Sequence, residues 1–280
     1  MANQIIGAAA EAAVLIPEVW SQRFQDLNRA MLPFIDSVNL DYMGEVSDLG
    51  DIVNIAKIPD FDQANLLTEG SAGDAEAVTA TQTQLTINSR PYKDFIVTKK
   101  ANLQSISFMD KLRESAVYSV QKKMQQIIID AIVPSAATPD HQIAFDAGTT
   151  LALADILEAK ELLMEANCPQ EGLMMVLGSE QWNDLYNIAG FTSRDYVPVG
   201  SPLATGEFAT PLAGFMPKFT TVAGDVAYLF HPSFLALVVQ QQLNIEVVGM
   251  GAEGHRATRV NVDLLMGVAQ LDDERVVTIS

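Results

Sequence analysis

The order of segments along the chain limits the folds open to it more than any single motif does. Residues 16–40 form an amphipathic arm, and 51–100 hold two β-rich stretches around a long polar one. Residues 108–133 carry an uninterrupted helical pattern, and a mixed α/β region ending in alternating strands follows. In the arm, Pro17 suits a helix start. Val19, Trp20, Phe24, Leu27, Met31 and Leu32 then recur at helical spacing. The arm either packs on its own core or lies on another subunit. Trp20 and Phe24 fit both readings, because large aromatics dominate cores and interfaces alike.

Residues 51–58 (DIVNIAKI) are β-rich and end at Pro59. A second strand region, 85–98 (LTINSRPYKDFIVT), contains Pro91, which confines it to a sheet edge or splits it in two. Residues 60–84 between them are polar with one aromatic, Phe61, and read as the tip of a long hairpin. Such a hairpin reaches on the order of 50 Å at ~3.3 Å per residue. A two-stranded ribbon is marginal in water and gains stability by lying across something.

Ser107 is a candidate N-cap for the long helix, with Asp110 in its first turn. Met109, Leu112, Ala116, Val120, Met124, Ile127 and Ala131 form its apolar stripe, and Pro134 stops it. At ~1.5 Å per residue it spans about 39 Å, the length of a spine. After a loop at 135–150, a helix is expected over 155–167 with Ile156, Ala159, Leu163 and Ala166 inward. A buried strand follows at 173–177, then a helix capped by Gly178 and Ser179 and carrying Trp182, Leu185 and Ile188. Residues 190–211 read as a long loop. Short strands are expected at 219–222, 226–230, 236–239 and 245–248. Val260, Val262 and Leu264 alternate with polar residues as in a half-buried strand, and 276–279 is the last strand.

Composition removes several function classes. The chain has 17 Lys and Arg against 35 Asp and Glu, a net charge of −18. A surface that grips nucleic acid needs clustered cations. The acidic balance suits a soluble protein at high local concentration, where like charge limits indiscriminate association. The single cysteine, Cys168, allows no intrachain disulfide and reads as a buried structural thiol. Nowhere do 18 apolar residues run together, so no membrane span is expected. Glu11 interrupts the apolar N-terminus and no basic residue precedes it, so it does not read as a signal peptide.

The motifs that mimic chemistry fail on inspection. Gly249-Met-Gly-Ala-Glu-Gly254 is a literal G-x-G-x-x-G, with Asp272 about 20 residues on. The dinucleotide fingerprint needs a helix to start among its glycines. Here the chain continues as an alternating strand, so a turn between strands is expected. His141, His231 and His255 make no metal-ligand spacing. Asp60 and Asp62 mimic an EF-hand loop that breaks at Ala64 and Asn65. No nucleophile elbow or phosphate loop is present. The expectation is a protein without catalytic residues, cofactor or metal, and not an enzyme.

Three runs near the start carry a family resemblance: Ile16-Pro-Glu-Val-Trp-Ser-Gln-Arg-Phe, Asn39-Leu-Asp-Tyr-Met-Gly-Glu-Val and Gly50-Asp-Ile-Val-Asn-Ile. Later runs add to it: Leu85-Thr-Ile-Asn, Phe95-Ile-Val-Thr and Tyr228-Leu-Phe-His-Pro-Ser-Phe-Leu-Ala-Leu-Val-Val. In order and spacing the chain resembles the tailed-phage major capsid proteins over nearly its whole length. The resemblance implies an α+β, HK97-type fold. Its parts would be an N-arm at 1–49, an E-loop at 50–100, a P-domain with the spine helix at 101–149 and an A-domain at 150–248. Residues 190–211 would be the axial loop, and 249–280 would return to the P-domain.

The implied function is a shell of pentamers and hexamers that encloses double-stranded DNA without sequence-specific contacts and matures from a procapsid. The chain would be a virion component assembled in the host cytoplasm. No large N-terminal scaffold segment is apparent, so a separate scaffolding protein is expected, with a portal and a decoration protein as further partners. Some members crosslink lysine to asparagine between subunits. Lys57 and Lys93 lie in the E-loop region, but the full set is not matched and the chemistry is not carried over. The residues expected at subunit interfaces are Trp20, Phe24, Leu27, Phe61, Leu66, Leu67, Tyr92 and Phe95. An encapsulin-like nanocompartment is the alternative with the same fold, and a nucleotide-dependent enzyme built on the glycine run at Gly251 is the alternative from another class.

Overall fold

The computed structural model describes residues 32–44, 52–58, 78–100, 108–146, 150–192, 211–253 and 257–280, with 64, 66, 69, 148 and 208 as single points between them. Strands β1 (Ile52–Lys57) and β2 (Thr81–Thr86) form an antiparallel ribbon. β3 (Tyr92–Thr98), β9 (Ala257–Gln270) and β8 (Leu235–Gly249) form a three-stranded sheet in the order β3-β9-β8. A five-stranded sheet has the order β4-β10-β7-β5-β6, from β4 (Gln142–Ile143), β10 (Val276–Ile279), β7 (Ala227–Phe230), β5 (Met174–Leu177) and β6 (Met216–Phe219). Helices α1 (Phe108–Asp130), α2 (Leu153–Glu165) and α3 (Ser179–Leu185) complete the main elements.

The five-stranded sheet is a wall between two hydrophobic cores. Side chains alternate across a strand, and here both faces are apolar. Tyr228 and Phe230 of β7, Val176 of β5 and Val276 of β10 enter the core shared with α1. Ala227, Leu229, Met175, Leu177, Val277 and Ile279 enter the core shared with α2. The α1 core also takes Val260, Val262 and Leu264 of β9. α1 buries Ala116, Val120 and Met124 there as expected, but Ile128 is buried in place of the expected Ile127, and Met109, Ile127 and Ala131 are only partly buried.

α1 ends at Asp130, three residues short of the predicted stop. The Ala131 N–H is shared between the carbonyls of Ile127 and Ile128, both at 3.2 Å, and Pro134 disfavours helical backbone before it. α2 starts two residues early because Asp155 organises its N-terminus. That carboxylate is fully buried and accepts the N–H of Ala152 at 2.8 Å and of Asp146 at 3.3 Å. At its other end Asn167 takes a positive φ of 51°.

Two strand expectations are corrected. The strand expected at 219–222 lies at Met216–Phe219, and Thr220 to Ala223 turn away. Pro217 is tolerated because β6 is an edge strand. The strands expected at 236–239 and 245–248 are one strand, β8. Register shifts between Val239 and Gln241 and between Gln241 and Asn244 carry the polar residues between them.

Residues 33–40, read as the end of the arm, belong to the body. Pro33 opens a turn, and Phe34 is fully buried, stacked on Phe230 at 5.6 Å and edge-on to Tyr228 at 5.6 Å. Asn39 then bridges Ala236, exchanging bonds with Leu235 and Leu237 at 3.1 and 3.0 Å. Cys168 is buried, and desolvation raises its pKa, which keeps the thiol protonated.

Candidate functional site

Pro91 divides the second strand region into two pieces with different partners, the second of the two outcomes it allowed. The piece before it pairs with β1, from Ile52↔Thr86 to Lys57↔Thr81. The piece after it pairs with β9, from Tyr92↔Asp263 to Thr98↔Ala257. The β1–β2 ribbon is anchored at its base. Val53, Leu85 and Ile87 are buried against Ala236 and Val238, a small cluster apart from the two main cores. Ser89 exchanges two backbone bonds with Met266, at 3.1 and 2.9 Å. At the other end of the paired strands, where Lys57 faces Thr81, largely buried Asp272 receives Lys57 Nζ at 3.1 Å and Arg275 Nε at 3.1 Å.

Ile58, Ala64, Leu66, Glu69, Val78, Thr79 and Ala80 are all exposed. Ile58 is 72% exposed, Val78 53% and Leu66 98%. β1 and β2 bond to each other along one edge each, and each strand buries one residue of six. A ribbon of this kind has open edges and unpartnered apolar side chains.

Of the residues expected at interfaces, Leu66 is exposed and Tyr92 is 71% exposed on the outer side of β3. Phe95 is half-buried and packs against the α1 core of its own chain. Trp20, Phe24, Leu27, Phe61 and Leu67 lie outside the described residues. The outer face of the three-stranded sheet carries Asp94 and Asp263 on adjacent strands, paired with Arg259 and Arg90.

No arrangement among the described residues resembles a catalytic or metal centre. Among the described residues, no three His, Cys, Asp or Glu side chains gather to hold a metal ion. His141 is buried with Nδ1 3.2 Å from the Val276 carbonyl oxygen. His231 is tied to Ser233, its Nδ1 2.7 Å from Oγ, and burial followed by the Arg275 charge holds its pKa below 6.5. The glycine run expected to be a turn joins antiparallel strands. β8 ends at Gly249, a single helical turn covers Met250–Glu253, and β9 begins at Ala257. No helix of eight or more residues starts there, so the dinucleotide reading has no structural support. No helix among the described residues is long and apolar enough to cross a membrane.

A family model for phage capsid proteins matches residues 45–280. Among solved structures, a chain from Mycobacterium phage Che8 is similar with a TM-score of 0.75 and 22% identity, over 95% of this chain and 97% of that one. The cyanophage Pam1 capsid asymmetric unit gives a TM-score of 0.75 at 15% identity, over 98% of both chains. The capsid of cyanophage P-SCSP1u gives 0.74 at 11%, over 99% of this chain and 96% of that one. Among curated proteins, no sequence matches the chain.

Proposed function

The chain belongs to the phage capsid protein family and is a major capsid protein that forms the virion shell, and from that premise we propose how its parts build the shell. The projecting ribbon carries the reading. It is stable only where another surface covers Ile58, Leu66 and Val78, and the nearest abundant surface is a second copy. The ribbon would be the core of an E-loop spanning 50–100 and lying across a neighbour. α1 would be the spine of a P-domain at 101–149, and 150–248 would be the A-domain. Residues 249–280 would return to the P-domain, with 1–49 as an N-arm whose segment 33–40 packs on the body.

Copies would gather as pentamers and hexamers around double-stranded DNA. Trp20, Phe24, Leu27, Phe61, Leu66, Leu67 and Tyr92 would be covered by neighbours, while Phe95 spends part of its surface on its own core. Many modest contacts acting together would hold the shell. A separate scaffolding protein, a portal and a decoration protein are the partners this reading expects, with assembly in the host cytoplasm. A net charge of −18 favours enclosing DNA over adhering to it. The protein would act as a structural element without catalysis.

Electron microscopy of the recombinant chain, with and without a candidate scaffold, tests this. Replacing 58–80 with a short turn should abolish closed particles while leaving the circular dichroism and melting of the body unchanged. Normal particles from that variant would contradict the role of the ribbon.

A further inference from the structure

We propose that Gly267 is a positioning residue for assembly: it sets the angle at which the β1–β2 ribbon leaves the body, and so the geometry of the shell. The inference rests on the ribbon being the element that reaches a neighbouring copy. Gly267 lies in β9, opposite Val238 of β8. A Cβ placed there would stand 2.6 Å from the Thr86 carbonyl oxygen, 2.9 Å from Leu85 Cδ2 and 3.0 Å from Ile87 Cα. Two of those three atoms are backbone, so a rotamer change cannot relieve the contact. The end of the ribbon crosses the sheet in direct contact with the β9 backbone, and only a residue without a side chain permits that approach.

Two further contacts make the crossing a lever. On one side Ser89 is fixed to Met266 by its pair of backbone bonds. On the other side the ribbon is tied down by Lys57 and Asp272, 3.1 Å apart. A methyl group at 267 pushes the Thr86–Ile87 backbone outward by roughly 0.8 Å to restore ordinary contact. Ser89 is the fulcrum, about 10 Å from Thr86 along the extended chain, and Thr81 lies about 27 Å away, so the outer end, held there only through the flexible Lys57 side chain, moves by about 2 Å. The tip beyond moves further. A tilt repeated at every subunit alters how copies close on one another, while both main cores keep their side chains.

Two readouts test this. Nitroxide labels on Gln82→Cys and Glu180→Cys report the distance from ribbon to body in the unassembled chain, and electron microscopy reports particle diameter and the fraction closed. In Gly267→Ala the mean label distance should shift by about 2 Å, and closed particles of native diameter should fall at least tenfold, with the body still folded. Lys57→Gln releases the second tie and should broaden the label distance and the diameter distribution in the same assay. Gly267→Ala protein with the native label distance, or with native particles in native yield, would overturn the proposal. If Gly267→Ala does not fold, Lys57→Gln decides: an unchanged label distance overturns the proposal and a broadened one supports it. The label distance is read without assembly, so a native chain that fails to close shells breaks the assembly reading and not this one.

Discussion

β7 and β1 are both short strands, and the chain treats them in opposite ways. All four residues of β7 are buried, two to each core. β1 buries one of six and leaves its outer end in solvent. β7 is bonded on both sides, by β10 and β5, whereas β1 is bonded only to β2 and has one open edge. The source of apolar contact separates them further. β7 draws it from α1 on one side and α2 on the other, whereas the ribbon finds it only at its base. The stability of the first is a property of one chain. On the proposed reading, that of the second depends on how many chains are present.

Substitutions can break or sharpen this contrast. The largest effect on the isolated chain belongs to the wall. Phe230 is fully buried between Phe34 and Phe234, at ring distances of 5.6 and 4.7 Å. Phe230→Ala should lower unfolding free energy by about 3–5 kcal/mol in a denaturant titration. Asp155→Ala should cost less, about 1–3 kcal/mol, because it strands the N–H groups of Ala152 and Asp146 at the start of α2.

A smaller, pH-dependent effect attaches to His231. Its pKa is lowered in the folded chain, so the unfolded chain takes up the proton first as pH falls below about 6.5. Stability should be flat above that value, decline below it, and level off once the folded imidazole is also charged. His231→Gln should flatten that segment of a stability–pH curve. The smallest effect on the lone chain is expected in the ribbon. Ile58→Ser with Val78→Ser should change its stability by less than about 0.5 kcal/mol, yet reduce the yield of closed particles. A ribbon variant that destabilised the monomer as much as Phe230→Ala would erase the contrast.

What could be read in advance followed local signals. The last strand was legible residue for residue, and the long helix to within three residues, because periodicity and proline act locally. The bulged β8 was not, since Gln240 to Asn244 break the alternation that marks a strand. Nor was the end of the arm: Phe34 continues an apolar pattern, and only Pro33 hints that the expected helix would stop. The base of the ribbon was legible through the β-rich runs and Pro91, but the contact that orients it was not. Gly267 meets Thr86 across about 180 residues of sequence, and a glycine within a strand is the one local sign of such a crossing.

The shared wall has a consequence for how the molecule comes apart. Neighbouring residues of β7 belong to different cores, one taking Tyr228 and Phe230 and the other Ala227 and Leu229. A slip by one position would force aromatic rings into space shaped for smaller groups, so the strand has one usable alignment. Loss of either core also strips one side of a strand the other depends on. Calorimetry of the unassembled chain should therefore record a single melting transition, with no half-molecule surviving at intermediate temperature.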